Sequence, residues 1–201
     1  MATPTLPMLG WGTHFIDADL DGWLDLFVAN GHVYPQVDVT ETGAYYAQPN
    51  QLFRGLGDGS FAAVTGGPEV QLKKVSRGSC VGDYDDDGDT DIFVVNLNDT
   101  PSLLRNDTAS PGNWLGVRLR GSYTPDVAGA RVTVTTQKGR QVRTANRAAG
   151  YLGANDPVLR SGIGAALIAA VTVAWPNGER TNLKNVEANQ VIVVRERAGR
   201  G

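Results

Sequence analysis

The sequence predicts an all-β chain: a partial β-propeller of about two four-stranded blades, followed by a small β-sandwich-like domain. Three observations lead there. The nonapeptides Asp17-Ala18-Asp19-Leu20-Asp21-Gly22-Trp23-Leu24-Asp25 and Asp83-Tyr84-Asp85-Asp86-Asp87-Gly88-Asp89-Thr90-Asp91 share the pattern D-x-D-x-D-G-x-x-D, 66 residues apart. Each runs into a short β-branched and aromatic segment, Leu24–Asn30 or Asp91–Asn96, of the composition that favours strands. In the second half, Ala130–Thr136 and Val171–Trp175 alternate apolar and polar residues, and turn signals come after them at Lys138-Gly139 and Asn177-Gly178.

The repeat fixes the order of elements in the first region, residues 1–112. Trp11–Ile16 and Arg77–Gly82 read as the strands leading into the acidic loops. Gly22 and Gly88 supply the sharp turn, where a positive φ is cheap only for glycine. Asn50–Gly55 resembles Pro101–Asn106, and in the first copy Asp58-Gly59 then turns the chain towards Phe61. One unit is thus strand, loop, strand and hairpin, the content of one propeller blade. Residues 31–49 have no counterpart in the second copy, and their Gly31, Pro35, Gly43 and Pro49 predict an irregular surface loop. The second region, 113–201, opens with Trp114–Arg120 and ends with Val191–Val194. That last run is nearly continuous in apolar residues, which predicts a strand buried on both faces. Short antiparallel strands at these spacings suggest a small sandwich.

The loops carry the chemistry. Carboxylates crowded this closely repel one another unless a cation offsets the charge. Hard oxygen ligands suit Ca2+ best, and Mg2+ less well because it demands a tighter octahedron. An EF-hand needs a bidentate Glu at its twelfth position, where this chain has Val28 and Val94. By analogy with that ladder, the expected side-chain ligands are Asp17, Asp19, Asp21 and Asp25 in one loop and Asp83, Asp85, Asp87 and Asp91 in the other. Position seven, Trp23 or Asp89, offers a backbone carbonyl. The Asp86 and Asp89 side chains are expected to face water. About two Ca2+ sites are expected.

The loops, the trailing Asn30 and Asn96, and the Leu52-Phe53-Arg54…Gly57-Asp58-Gly59-Ser60-Phe61 hairpin resemble the FG-GAP/VCBS repeat family of calcium-binding β-propellers over about residues 10–106. That resemblance implies the same aspartate ligands. Gly129–Val134, Gly150-Tyr151-Leu152 with Asn155-Asp156, Trp175-Pro176-Asn177-Gly178 and Asn185–Gln190 resemble the ASPIC/UnbV domain of cartilage-acidic-protein-like proteins, over about residues 113–196. Arg160-Ser161-Gly162-Ile163-Gly164 departs from that family, which usually has a His and an aromatic residue before Gly-Leu-Gly. The resemblance implies a secreted or periplasmic setting and brings no catalytic residues.

Composition narrows the alternatives. The longest weakly polar run, Ile163–Trp175, is too short to span a bilayer, and Met1-Ala2-Thr3-Pro4 begins no signal peptide. A closed propeller needs roughly four to eight blades, so the chain is expected to be the C-terminal portion of a longer protein that supplies the remaining blades. Residues 1–101 hold 4 Lys/Arg against 15 Asp/Glu, and residues 102–201 hold 14 against 6. Arg118, Arg120, Arg131, Arg140, Arg143 and Arg147 read as a solvated strand face, and without an aromatic-studded recognition motif they do not point to nucleic acid. The lone Cys80 reads as core packing and excludes an internal disulfide. His14 or His32 with Cys80, Ser79 or Ser161 as a nucleophile, and the clustered aspartates as a glycosidase pair all lack the context or spacing for catalysis. Asn98-Asp99-Thr100 and Asn106-Asp107-Thr108 match the glycosylation pattern. The expected function is a calcium-binding extracellular binding or adhesion module, not an enzyme, with a protein or polysaccharide ligand reached partly through residues 31–49. The alternatives are part of an enzyme acting on an extracellular polymer and a scaffold that only closes a propeller.

Overall fold

A computed structural model describes residues 5–40, 42–65, 67, 70–109, 112–122, 127–148 and 150–197. Sixteen strands are described: β1 (Gly10–Ile16), β2 (Asp25–Asn30), β3 (Gln48–Pro49), β4 (Gln51–Gly55), β5 (Phe61–Ala63), β6 (Lys73–Lys74), β7 (Ser76–Gly82), β8 (Asp91–Asn96), β9 (Ser102–Leu104), β10 (Asn113–Arg120), β11 (Arg131–Thr136), β12 (Gly139–Thr144), β13 (Val158–Gly164), β14 (Ile168–Ala174), β15 (Arg180–Glu187) and β16 (Gln190–Arg195). The chain is all-β, and its sheets do not close on themselves among the described residues.

The first copy of the repeat forms an antiparallel sheet in the order β1-β2-β4-β5. The second copy forms β7-β8-β9 and stops at three strands, where four were predicted. The reason lies in the path of the chain beyond β9: the next strand, β10, pairs with β13 and β16 instead of returning to its neighbour. Residues 31–49 are not wholly irregular. Pro35, with its preset φ, opens a short 3-10 helix over Pro35–Val39, and β3 pairs with β6.

The two repeat sheets pack face to face. Strand alternation puts His14, Ile16, Phe27, Ala29 and Leu52 on one face of the first sheet. Of these, Ile16, Phe27, Ala29 and Leu52 share a core with Val81, Ile92, Val94 and Leu104 of the second sheet. His14 completes the contact, its Nε2 lying 2.9 Å from Ser79 Oγ and 3.1 Å from the Ser79 carbonyl oxygen.

In the second half, the sheets β13-β10-β16 and β12-β11-β14-β15 enclose one core that includes Leu115, Val117, Val132, Val134, Ile163, Val171, Val173 and Val194. The turns at Lys138-Gly139 and Asn177-Gly178 fall between paired strands as predicted. Val191–Val194 does not match its prediction. Among the described residues β16 is a sheet edge paired with β10 alone, and one of its faces is open: Val191 and Val193 are exposed, while Val194 on the other face is buried.

The halves meet along residues 150–156. Asp156 N donates to Val81 O at 3.0 Å, Val81 N donates to Asn155 Oδ1 at 3.1 Å, and the Tyr151 ring lies 4.9 Å from that of Trp11. Between them is a cavity of about 180 Å³ whose lining includes Asp17, Arg143, Asp156 and Arg160.

Candidate metal centre

Each acidic loop connects the first two strands of its sheet, β1 to β2 and β7 to β8. The backbone takes the same path in both. Positive φ recurs at the fourth and sixth positions: Leu20 (56°) and Gly22 (98°), then Asp86 (62°) and Gly88 (100°). This winding turns the first, third and fifth side chains together. Asp17, Asp19 and Asp21 offer oxygens within 4.8 Å of one another, and so do Asp83, Asp85 and Asp87. The glycine amide closes each turn on the first aspartate, Gly22 N donating to Asp17 Oδ1 at 3.3 Å and Gly88 N to Asp83 Oδ2 at 3.0 Å.

Asp25 and Asp91 stand outside these trios and staple the loop to its sheet. Asp25 accepts from Ala18 N at 2.9 Å and Gly55 N at 2.8 Å. Asp91 accepts from Tyr84 N at 2.7 Å and Asn106 N at 2.8 Å. Both are buried, and every one of these oxygens keeps a second lone pair.

Asp89 departs from expectation. Its side chain is only 4% exposed, and its Oδ1 has no partner. The preceding turn presses on the second half, since a Cβ at Gly88 would overlap the Trp114 ring. Loss of water is the main reason its pKa is pushed up to about 8, with Asp87, Asp91 and Asp83 adding repulsion. Asp17 is raised to about 6, again chiefly by burial. Asp86 is exposed, as predicted. Trp23 is 45% exposed, with Lys138 Nζ 5.7 Å from its ring centroid.

Arginines flank the carboxylates. Arg54, at the end of the Leu52-Phe53-Arg54 run, pairs with Asp19 at 2.9 Å, and its repeat partner Arg105 approaches Asp85 at 3.8 Å. Two more come from the second half, and the sequence did not point to them. Arg160 Nη2 lies 3.2 Å from Asp83 Oδ2, and Arg143 Nη2 lies 3.9 Å from Asp17 Oδ2. Arg143 therefore does not belong to a solvated face; its side chain is 15% exposed. The donor set consists of hard oxygens only, and Asp83 Oδ1 is buried with no partner, as is Asp89 Oδ1. Such a set fits Ca2+, and Mg2+ less well.

The groups weighed for catalysis are placed otherwise. His14 bonds Ser79, not Cys80, and both partners are nearly fully buried. Cys80 pairs across the strand with Phe93, and His32 turns back on Tyr34. Ser161 is buried with Oγ unpartnered. Asn106 Nδ2, the nitrogen a glycan would need, donates to Ala18 O at 2.7 Å. Among the described residues, no helix is long and apolar enough to cross a membrane.

Comparison with known proteins agrees with the resemblance to the ASPIC/UnbV domain and to cartilage-acidic-protein-like proteins. The family model described as ASPIC and UnbV matches residues 121–201. Cartilage acidic protein 1 of Homo sapiens and of Mus musculus is 28% identical over 155 residues, which cover 72% of this chain and 23% and 24% of those proteins. The Xenopus tropicalis protein of the same name is 29% identical over 106 residues, 51% of this chain and 16% of that one. The chain thus spans about a quarter or less of the length of these relatives. A solved structure of a candidate cell adhesion protein from Bacteroides uniformis aligns with a TM-score of 0.28 and 11% identity over 93% of this chain and 86% of that one, too loosely to carry an argument. Residues 121–201 are thus similar to ASPIC/UnbV domains, and the chain is similar in sequence to cartilage acidic proteins.

Proposed function

We propose that this chain is a calcium-stabilised, non-catalytic binding module of the extracellular space, built from two propeller blades and an ASPIC/UnbV sandwich. The observation that supports the metal reading most is in the second loop: Asp83 Oδ1 is buried without a partner beside the Asp85 and Asp87 carboxylates. Burying charged oxygens unpaired is costly, and a bound cation removes that cost. Asp17, Asp19, Asp21 and Asp25, with the Trp23 carbonyl, would hold one Ca2+; Asp83, Asp85, Asp87 and Asp91, with the Asp89 carbonyl, would hold the other. When bound, the ion supplies charge neutralisation and a tie between the two strands on either side, so binding free energy becomes folding free energy.

The propeller reading rests on which faces are used. Shifting by 66 residues turns Phe27 and Ala29 into Phe93 and Val95. The first pair is fully buried against the second sheet, whereas the second pair is 39% and 49% exposed, beside Leu103 at 43%. In the same way, Ile92 and Val94, buried in that interface, correspond to the partly exposed Leu26 and Val28 on the outer face of the first sheet. Each sheet therefore offers a second face of the kind that its neighbour already uses, and further copies of the repeat would stack there head to tail.

The relatives named for cartilage support an extracellular setting. Residues 31–49 display Tyr34 (66% exposed), Val39 (87%) and Tyr45 (59%), and would meet a protein or polysaccharide ligand. Calorimetric titration with Ca2+ and then Mg2+ tests the core of this reading. Two calcium ions per chain, bound more tightly than magnesium, are expected; no calcium uptake at millimolar concentration overturns it.

A further inference from the structure

We infer that the ASPIC/UnbV domain is clasped to the repeat sheets through the two acidic loops, so that cation binding and docking of that domain form one linked equilibrium. This rests on the calcium reading of the loops and adds a structural consequence to it.

The first loop presents four consecutive carbonyls to the chain beyond it. Ala18 O accepts from Asn106 Nδ2 at 2.7 Å, Asp19 O from Gly112 N at 3.2 Å, Leu20 O from Gly164 N at 3.1 Å and Asp21 O from Lys138 Nζ at 2.6 Å. Asp17 Oδ2 adds a fifth contact, accepting from Gly162 N at 2.9 Å. Leu20 is driven in beneath them, 2% exposed. The second loop is gripped differently, by Arg160 on Asp83 Oδ2 and by the Trp114 ring against Gly88. Asp83 thus gives one oxygen to the ASPIC/UnbV side, while its other, Oδ1, is buried and unpartnered.

In this loop the winding that gathers the carboxylates inward is the same one that turns the carbonyls outward. Gathering them sets like charges within 4.8 Å of one another. Whatever neutralises the carboxylates also holds the carbonyls in register for Gly112, Lys138 and Gly164. Linkage makes the effect reciprocal: docking must raise cation affinity by the factor by which cation raises docking.

Hydrogen exchange in Ca2+ and in chelator, read beside calorimetry on the same protein, tests this. Protection at the Gly112, Gly162 and Gly164 amides is expected to fall by about tenfold or more on chelation, while Val134 and Val171 within β11 and β14 keep theirs. Gly112→Ala places a Cβ on the Leu20 carbonyl, outside the ligand set and without changing charge. It should weaken Ca2+ binding at one of the two sites by about fivefold or more. Asn106→Ala removes the Ala18 O donor together with the Oδ1 acceptor of Thr108, keeps the backbone bond to Asp91, and should act in the same direction more weakly. Two calcium ions bound with unchanged amide protection in chelator, or unchanged affinity in both variants, overturn the inference and leave the metal reading standing. Absence of calcium binding overturns both.

Discussion

Phe27 and Phe93 occupy one place in two copies of the same repeat, and the structure gives them different surroundings. Phe27 is fully enclosed between the two sheets, packed with Ile16 and Ala29 against Ile92, Val94 and Leu104. Phe93 lies on the outer face of β8 beside Leu103 and Cys80, 39% exposed. Phe27→Ala removes the ring from a closed interior and leaves a cavity, so a loss of about 3–5 kcal/mol is expected. Phe93→Ala loses only part of the transfer term, and its site is open to water, so about 1–2 kcal/mol is expected. Equilibrium urea unfolding in saturating Ca2+, with the slope unchanged between variants, measures both. Losses equal within about 0.5 kcal/mol would refute the face assignment, because they would mean that the outer face of β8 is as closed as the inner face of β2. With a third copy of the repeat stacked on that face, the two costs should converge.

On the proposed calcium reading, Asp19→Ala and Asp85→Ala should each lower the melting temperature in Ca2+ and change it little in chelator, since each would remove a ligand and not a packed side chain. Equal destabilisation in both conditions would exclude a metal role. Asp86→Ala, at an exposed position outside the trio, should stay within about 0.5 kcal/mol of wild type. Burial holds the His14 pKa below its ordinary value, against a smaller opposing effect of the bond to Ser79. A base depressed in the folded state stabilises the fold above its unfolded pKa, about 6.5, and that stability is lost as pH falls through the folded value. Melting temperature should therefore fall on acidification below about pH 6.5, and His14→Gln should flatten that part of the curve. An identical acid limb in the variant would show that His14 does not contribute.

What could be read from the sequence was local. The acidic loops, their flanking strands, the Asp58-Gly59 hairpin and the two later turns each depend on a few neighbouring residues, and all lie where the pattern put them. Long-range pairing was not legible. Nothing within β9 indicates that β10 will leave for β13 and β16, and so the fourth strand of the second sheet was overpredicted. Nor does the apolar run Val191–Val194 show that it will be a sheet edge, since hydrophobic content reports burial potential and not which neighbour supplies it. Asp89 misled for a related reason. The loop pattern places it as a backbone-carbonyl ligand, and short-range pattern does not reveal that the fold buries its side chain as well.

The uneven charge of the two halves belongs to the same class of information. Read along the chain, an acidic half and a basic half suggest either an anionic partner or a solvated face. In the folded chain, part of the asymmetry is satisfied internally: Arg143 and Lys138 reach the first loop, and Arg160 reaches the second while also holding Asp156. Arg160 and Asp83 are 10% and 2% exposed at their side chains, so water screens this pair little. Removing one member of such a buried pair costs about 3–5 kcal/mol, because the charge left behind is unpaired. Arg140, on the same strand as Arg143 but exposed, has no comparable cost attached to it. Strand pairing brings β12 and β13 to the seam, and there side-chain alternation turns Arg143 towards Asp17 while Arg140, three residues earlier, falls on the opposite face. The basic half is thus in part the complement of the acidic loops, and the charge left for a partner is smaller than composition implies.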